Sequence, residues 1–120
     1  MTISICDDGG HLLWLQRMDG APPMSAGVAP EKARTCVLGR RSSKVYEDMV
    51  NSGRFAALRM PVVPLEGGEM IVVDGECIGA VGVSGVKAAE DAQVAGPEWR
   101  ALAHAGKCDF LSCALLRNPQ

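Results

Sequence analysis

One short segment of the 120-residue chain has residue types that suit ligand binding. Residues 82–85 have the sequence Gly-Val-Ser-Gly and join a predicted strand to a predicted helix, where free backbone N–H groups bind phosphates or carboxylates. The pattern is neither GxGxxG nor a P-loop, because no Gly-Lys-Ser/Thr triplet follows it. Gly82, Ser84 and Gly85 are therefore candidates for binding a small anionic ligand or cofactor. A tight connection without any ligand is the other interpretation.

Histidine and the charged residues of the first half are further candidates. His11 follows a predicted turn, where a histidine is either solvated or a ligand, and His104 is a weaker candidate. Arg17, Asp19 and Lys32 belong to a charged set that is either a solvated surface or an anchor for an acidic group such as a propionate, since an arginine fork matches a carboxylate. The other members of this set are Arg34, Arg40 and Arg41. No arrangement typical of Ser-His-Asp catalysis is present, so no catalytic residue is predicted.

The five cysteines do not form a metal-binding motif. Their number is odd, no Cys-x-x-Cys pair occurs, and the spacing between Cys108 and Cys113 is not typical of a zinc pair. We interpret most of them as small apolar core residues of a protein in a reducing compartment, with the cytoplasm as the expected location. No metal site is predicted.

Composition argues against several classes of function. The formal charge of −2 argues against broad nucleic-acid binding, which needs a basic stripe. The longest apolar runs have about six residues, short of the ~20 that span a bilayer, and the first residues lack the pattern of a secretory signal. We therefore expect neither a nucleic acid nor a membrane as partner. Apolar residues make up 48% of the chain, which predicts one folded domain over residues 1–120.

Two β-hairpins are predicted to position the candidate residues. Alternating apolar and polar residues predict a half-buried first strand, and the Asp-Asp-Gly-Gly turn at 7–10 predicts a hairpin over residues 2–18. Two β-branched runs joined by the Asp-Gly dipeptide at 74–75 predict another hairpin, with a type I′ turn. Gly79 and Gly82 lie inside the second of these runs, where glycine marks a bulge or the close approach of another element.

Helices are predicted between the hairpins. The first has Pro30 in its first turn, where the missing N–H costs nothing, and stops at Gly39. The second follows an N-cap at Ser42 or Ser43 and ends before a loop over residues 54–66. The apolar stripe of the first helix is formed by Ala29, Ala33, Cys36 and Val37.

Four blocks of the sequence, taken together, resemble a known family. The blocks are DDGGHLLWLQRMDGAPP at 7–23, EKARTCVLGRRSSKVYEDMV at 31–50, LEGGEMIVVDGECIGAVGVSG at 65–85 and EDAQVA at 90–95. In their order and spacing they are similar to the GlcG/HbpS family, which is related to the C-terminal domain of PduO-type proteins. The resemblance covers about residues 2–95.

The resemblance implies an α+β, profilin-like fold, an antiparallel sheet of about five strands flanked by helices. It also implies a small accessory protein that binds haem or a related ligand without turnover, because several members bind haem and the family is often labelled haem-degrading. One alternative is an enzyme of haem degradation or of small hydroxy-acid or diol metabolism. Another is a structural oligomer subunit. HbpS-like members form higher oligomers, so a homo-oligomer is expected.

The resemblance further implies a ligand near the turn at 82–85 and near Arg17 and Asp19. Lys32 lies in the Lys-Ala-Arg motif of the family, and His11 in its Gly-Gly-His turn. In haem-binding members, ligation is associated with a histidine in a region before the first strand. In this sequence Met1 stands directly before that strand. The residues themselves predict a helix over 88–95 and another that begins at Pro97. From about residue 96 onward the sequence diverges from the family. We expect the sheet face that the family's first helix covers to be covered by oligomer formation or by this tail.

Overall fold

The computed structural model describes residues 1–85, which form one antiparallel sheet with helices on its connections. Within these residues the sheet has four strands, in the spatial order β2-β1-β4-β3. The strands are β1 (Thr2–Asp7), β2 (Leu12–Arg17), β3 (Gly68–Val73) and β4 (Glu76–Ser84). The helices are α1 (Ser25–Gly39), α2 (Lys44–Asn51) and a 3₁₀ helix (Phe55–Arg59). The α+β fold class is confirmed, with four strands in this part of the chain where about five were expected.

Both predicted hairpins are present. β1 pairs with β2, and β3 pairs with β4, each in antiparallel register. Asp74 and Gly75 have φ angles of 51° and 78°, and two successive positive φ values are those of the predicted type I′ turn. The β3–β4 ladder shifts its register beside Gly79, so the predicted irregularity at this glycine is confirmed.

α1 begins earlier than the sequence predicted. It starts at Ser25, so Pro30 lies inside the helix rather than in its first turn. Proline has no N–H, so it cannot donate to the carbonyl of Ala26, one turn earlier. The helix ends at Gly39 as predicted, and Arg40 follows it in the left-handed conformation with φ 54°. The predicted start was wrong because Ser25 contacts Thr2 of the sheet, and the helix therefore begins before the turn that Pro30 indicated.

α2 begins directly after Ser43, one of the two predicted caps. The hydroxyl of Ser43 does not cap this helix, however, but accepts a hydrogen bond from the N–H of Gly68 at 2.9 Å. The serine therefore ties the start of α2 to the first residue of β3. The predicted loop after α2 contains a 3₁₀ helix, Phe55–Arg59, which the sequence did not indicate.

α1 packs on one face of the sheet through small residues. The predicted apolar stripe is confirmed, because its four members are all buried. A Cβ placed on Gly82 would collide with the backbone of Ala29 and Ala33, and one on Gly68 would come within 2.5 Å of the carbonyl oxygen of Lys32. Gly82 therefore marks the close approach of another element, as predicted, and that element is α1.

The two faces of the sheet differ in chemistry. The face away from α1 has an aliphatic cluster of Ile5, Ile71, Val81 and Val83. On the α1 side, β1 presents Thr2 and Ser4, and both are fully buried. β1 was expected to be half-buried, with its polar residues facing solvent. That prediction was wrong because β1 lies between β2 and β4 with α1 packed over its polar face.

Several predictions fall outside the described residues. They concern the helices over 88–95 and from Pro97, the divergent tail, His104, and the cysteines at 108 and 113. No described helix is long and apolar enough to cross a membrane.

Candidate functional site

The predicted site residues fall into two groups at opposite ends of the sheet. Thr2 of β1 pairs with Arg17 on one side and with Ser84 on the other, so these three residues form one row. His11 follows the turn that leaves β1 at Asp7. Five residues along β1 separate the two ends, roughly 17 Å at ~3.4 Å per residue. The candidate residues therefore define two separate surfaces rather than one pocket.

Lys32 lies beneath the first of these ends. Its side chain is buried, with the residue only 2% exposed, and its Nζ donates a hydrogen bond to the carbonyl oxygen of Val83 at 2.9 Å. The interpretation of this lysine as part of a solvated basic face is thus wrong. Burial of a lysine requires hydrogen-bonding partners, and the backbone of the Gly-Val-Ser-Gly segment supplies one.

The residues of the Gly-Val-Ser-Gly segment have different surroundings. Gly82 is covered by α1, and Ser84 is 9% exposed at the end of β4. Gly85 has a φ of +134°, and a Cβ there would lie 2.7 Å from the Cα of Met1. The two glycines are therefore required by packing and by backbone conformation, whether or not a ligand binds.

A buried hydroxyl pair extends the same end of the sheet, and the sequence did not indicate it. The hydroxyl oxygens of Thr2 and Ser25 are 2.7 Å apart, and Ser25 also donates to the carbonyl of Pro22 at 2.6 Å. These contacts join the first residue of β1 to the first residue of α1. Arg17 and Asp19 lie beyond this pair and are exposed.

The other end is built around Asp7 and His11. Oδ1 of Asp7 accepts hydrogen bonds from the backbone N–H groups of Gly9 and His11, both at 2.9 Å. Nδ1 of His11 lies 3.3 Å from the same oxygen. The pKa of Asp7 is lowered overall. Desolvation by burial, the largest single influence, raises it, but the hydrogen bonds from Gly9 and His11 and the charge of His11 together outweigh desolvation. The sequence assigned Asp7 only to a turn; the usable signal was an aspartate at the start of a glycine-containing turn, where its side chain bonds the backbone two residues on.

The remaining basic residues contact the surface around α1. Arg40 donates to the carbonyl oxygens of Asp8 and Val37, both at 2.9 Å, and approaches Sγ of Cys77 at 3.5 Å. Arg34 pairs with Glu31 at 3.8 Å, and the guanidinium of Arg41 lies over the ring of Tyr46. The interpretation as a solvated helix face therefore describes Arg34 better than Lys32, since Arg34 is 43% exposed.

Of the three cysteines among residues 1–85, Cys6 and Cys36 are buried, as predicted for core residues, and Cys77 is partly exposed; all three are free thiols. Cys6 and Cys36 belong to the small-residue cluster between α1 and the sheet, and Cys77 packs against it. Burial raises the pKa of the Cys6 and Cys36 thiols to about 12. Among residues 1–85, no group of three His, Cys, Asp or Glu side chains is placed to hold a metal ion.

The antiparallel sheet with α1 across one face defines a small α+β domain of the profilin-like type. In a comparison with known protein families, the family model described as "Haem degrading protein HbpS-like" matches residues 1–97. The chain belongs to this family. It is 57% identical over 85 residues to the protein GlcG of Escherichia coli K12, covering 70% of this chain and 63% of that protein. The chain thus spans less than two thirds of the length of this relative.

A second relative and two solved structures agree with this assignment. A 15.0 kDa protein from the dhaT-dhaS intergenic region of Citrobacter freundii is 34% identical over 98 residues, which cover 76% of this chain and 68% of that protein. A crystal structure of a PduOC–haem complex superposes with a TM-score of 0.70 at 31% identity, covering 78% of this chain and 72% of that one. A double mutant of HbpS from Streptomyces reticuli superposes with a TM-score of 0.72 at 26% identity, covering 87% and 69%.

Proposed function

We propose that this protein is a small, non-enzymatic accessory protein that binds haem or a closely related anionic cofactor. The observation that carries the proposal is the likeness to the PduOC–haem complex, which covers 78% of this chain at 31% identity. Membership of the HbpS-like family supports it. The free thiols of Cys6, Cys36 and Cys77 support a cytoplasmic location, and the family resemblance implies a homo-oligomer.

The two separate surfaces offer different groups to such a ligand. His11 offers an exposed imidazole, the kind of group that binds haem iron, and Arg17 offers an exposed guanidinium for a carboxylate. Asp19, in the turn after Arg17, borders the same end of the sheet. Lys32 and Gly82 are buried, so their proposed part is to support the backbone of Ser84 and Gly85 from beneath.

Titration with haemin tests the proposal. The folded protein is expected to bind haemin saturably with a shift of its Soret band, whereas protein unfolded in urea is the control for adsorption to apolar segments. Native mass spectrometry of the same samples gives the number of haem groups and of chains in each assembly. Absence of a saturable Soret shift would contradict the proposal. Formation of biliverdin after addition of a reductant would instead favour an enzyme of haem degradation.

A further inference from the structure

We propose that α2 and the 3₁₀ helix form an interface between two copies of this chain, in which the acidic side of each copy faces the basic side of the other. The inference rests on the homo-oligomer named in the proposed function, for which it supplies the surface, and it does not depend on haem. Both helices lie in the connection between α1 and β3 and contain none of the residues predicted to bind a ligand.

The 3₁₀ helix turns its large apolar side chains outward. Phe55 is 68% exposed and Leu58 is 58% exposed, whereas Ala57, between them, is fully buried. Side chains three residues apart eclipse one another in a 3₁₀ helix, so Phe55 and Leu58 form one ridge. A single exposed leucine is common on protein surfaces, but adjoining apolar side chains that include an aromatic ring are typical of protein–protein contacts. This ridge is therefore the apolar centre of the proposed interface.

Two arginines flank the ridge and form its basic side. Arg54 directly precedes Phe55, Arg59 directly follows Leu58, and both arginines are exposed. Within residues 1–85, neither guanidinium forms an ion pair with a carboxylate. Arginine is enriched at protein interfaces, where its planar fork binds carboxylates. The ridge thus carries two positive charges that are available to a partner.

The start of α2 carries the opposite charge and forms the acidic side. Nζ of Lys44 lies 3.0 Å from Oδ2 of Asp48. The hydrogen bond with Asp48, followed by the charges of Asp48, Glu66 and Glu47, raises the pKa of Lys44, so all three carboxylates lie near this ammonium group. Three carboxylates around one ammonium group leave a net charge of −2 on this side.

The two sides together are complementary to themselves. Val45 on α2 and Leu65, directly before Glu66, are exposed, so the acidic side offers apolar contacts as the ridge does. α2 packs against the 3₁₀ helix, which places the two sides next to each other. When a two-fold axis runs between such sides, each faces the oppositely charged side of the partner, and both contacts are attractive. A second copy of this chain is therefore the occupant that the charges of this surface match.

Paired charge reversals test the interface. The double variant Arg54→Glu, Arg59→Glu makes both sides acidic, and the double variant Glu47→Arg, Glu66→Arg makes both sides basic. Sedimentation velocity over a concentration series should show that each variant alone self-associates at least about tenfold more weakly than wild type. An equimolar mixture of the two should associate as wild type does, because every contact between unlike copies is then attractive. Unchanged association of either variant alone, or no association in the mixture, would overturn the inference.

Single variants test the apolar ridge and separate the inference from the proposed function. Phe55→Ser should weaken self-association about tenfold. Val73→Ser, at an exposed apolar side chain of the β3–β4 hairpin, and Glu76→Arg, a charge reversal on the same hairpin, are the matched controls and should behave as wild type. An oligomer that Phe55→Ser leaves as stable as wild type would overturn the inference and leave the homo-oligomer standing. A wild-type chain that stays monomeric at every concentration, with and without haemin, would overturn both, whereas haemin binding is judged by its own titration.

Discussion

The ammonium nitrogen of Lys32 lies 2.9 Å from the carbonyl oxygen of Val83, just past the last pair of the β3–β4 ladder. That last pair is Gly68 with Gly82. The N–H of Val83 still donates to Gly67 at 2.9 Å, and the lysine takes the carbonyl of the same residue. A side chain of α1 thus satisfies a backbone group where the β3–β4 pairing ends.

Replacing Lys32 by methionine keeps most of the aliphatic stem but removes the donor to Val83. We expect the free energy of unfolding to fall by about 2 kcal/mol, because a buried carbonyl loses a charged hydrogen-bond donor. Urea denaturation followed by circular dichroism measures this loss. Lys44→Met is the matched control, since Lys44 is exposed and pairs with Asp48 on the same helix, and its midpoint should not move. Equal midpoints for both variants would contradict the structural role of Lys32.

Gly82→Ala introduces a methyl group where α1 leaves no space. The Cβ would lie 2.7 Å from the backbone nitrogen of Ala33, and a backbone atom cannot rotate away as a side chain can. We expect a loss of about 3 kcal/mol in the free energy of unfolding, or no folded protein. Gly27→Ala, at a position of α1 that faces open space, should be neutral or stabilise by up to ~1 kcal/mol. Thermal melting compares the two, and a Gly82→Ala protein as stable as wild type would show that α1 can shift.

The turn between β3 and β4 makes different demands on its two residues. Gly75→Ala should destabilise the protein by about 1 kcal/mol, because alanine is strained at a φ of 78°. Asp74→Asn should be neutral, since asparagine tolerates the left-handed conformation. Chemical denaturation of both variants tests this, and an equal effect of the two substitutions would argue against the type I′ turn.

Asp7 should make stability depend on acidity. Its pKa in the folded protein is lowered, so the unfolded chain binds a proton more readily than the folded one. The stabilisation is complete above the unfolded pKa of about 3.9 and is lost as the pH falls through the folded value. Asp7→Asn should therefore be less stable than wild type near neutral pH, with the difference shrinking below about pH 4. Urea denaturation at a series of pH values measures the difference, and parallel curves down to acid pH would refute this.

The described cysteines should differ in reactivity. The thiolate is the nucleophile, and burial raises the pKa of Cys6 and Cys36 to about 12, so both should resist alkylation in the folded state. Cys77 is partly exposed and should react first with iodoacetamide near pH 8. Peptide mass spectrometry after short exposure gives the order of labelling. Rapid native labelling of Cys6 or Cys36 would mean that α1 opens readily from the sheet.

Features that depend on neighbouring residues were predictable from the sequence. The Asp-Gly turn at 74–75, the end of α1 at Gly39 and the apolar stripe of α1 follow from backbone preference and from helical period. The family was also recognisable from the order of its sequence blocks. The start of α1 was missed because the local signal of Pro30 is weaker than the contacts that Ser25 makes with β1.

The sequence by itself thus determined the two hairpins, the end of α1 at Gly39 and its apolar stripe. Only the tertiary structure decided that Lys32 is buried, that His11 and Arg17 lie at opposite ends of the sheet, and that α1 covers Gly82. Turns and helix ends depend on the torsion angles of a few adjacent residues. Burial and strand order depend on contacts between residues distant in the chain, which become defined only when α1 packs against the sheet.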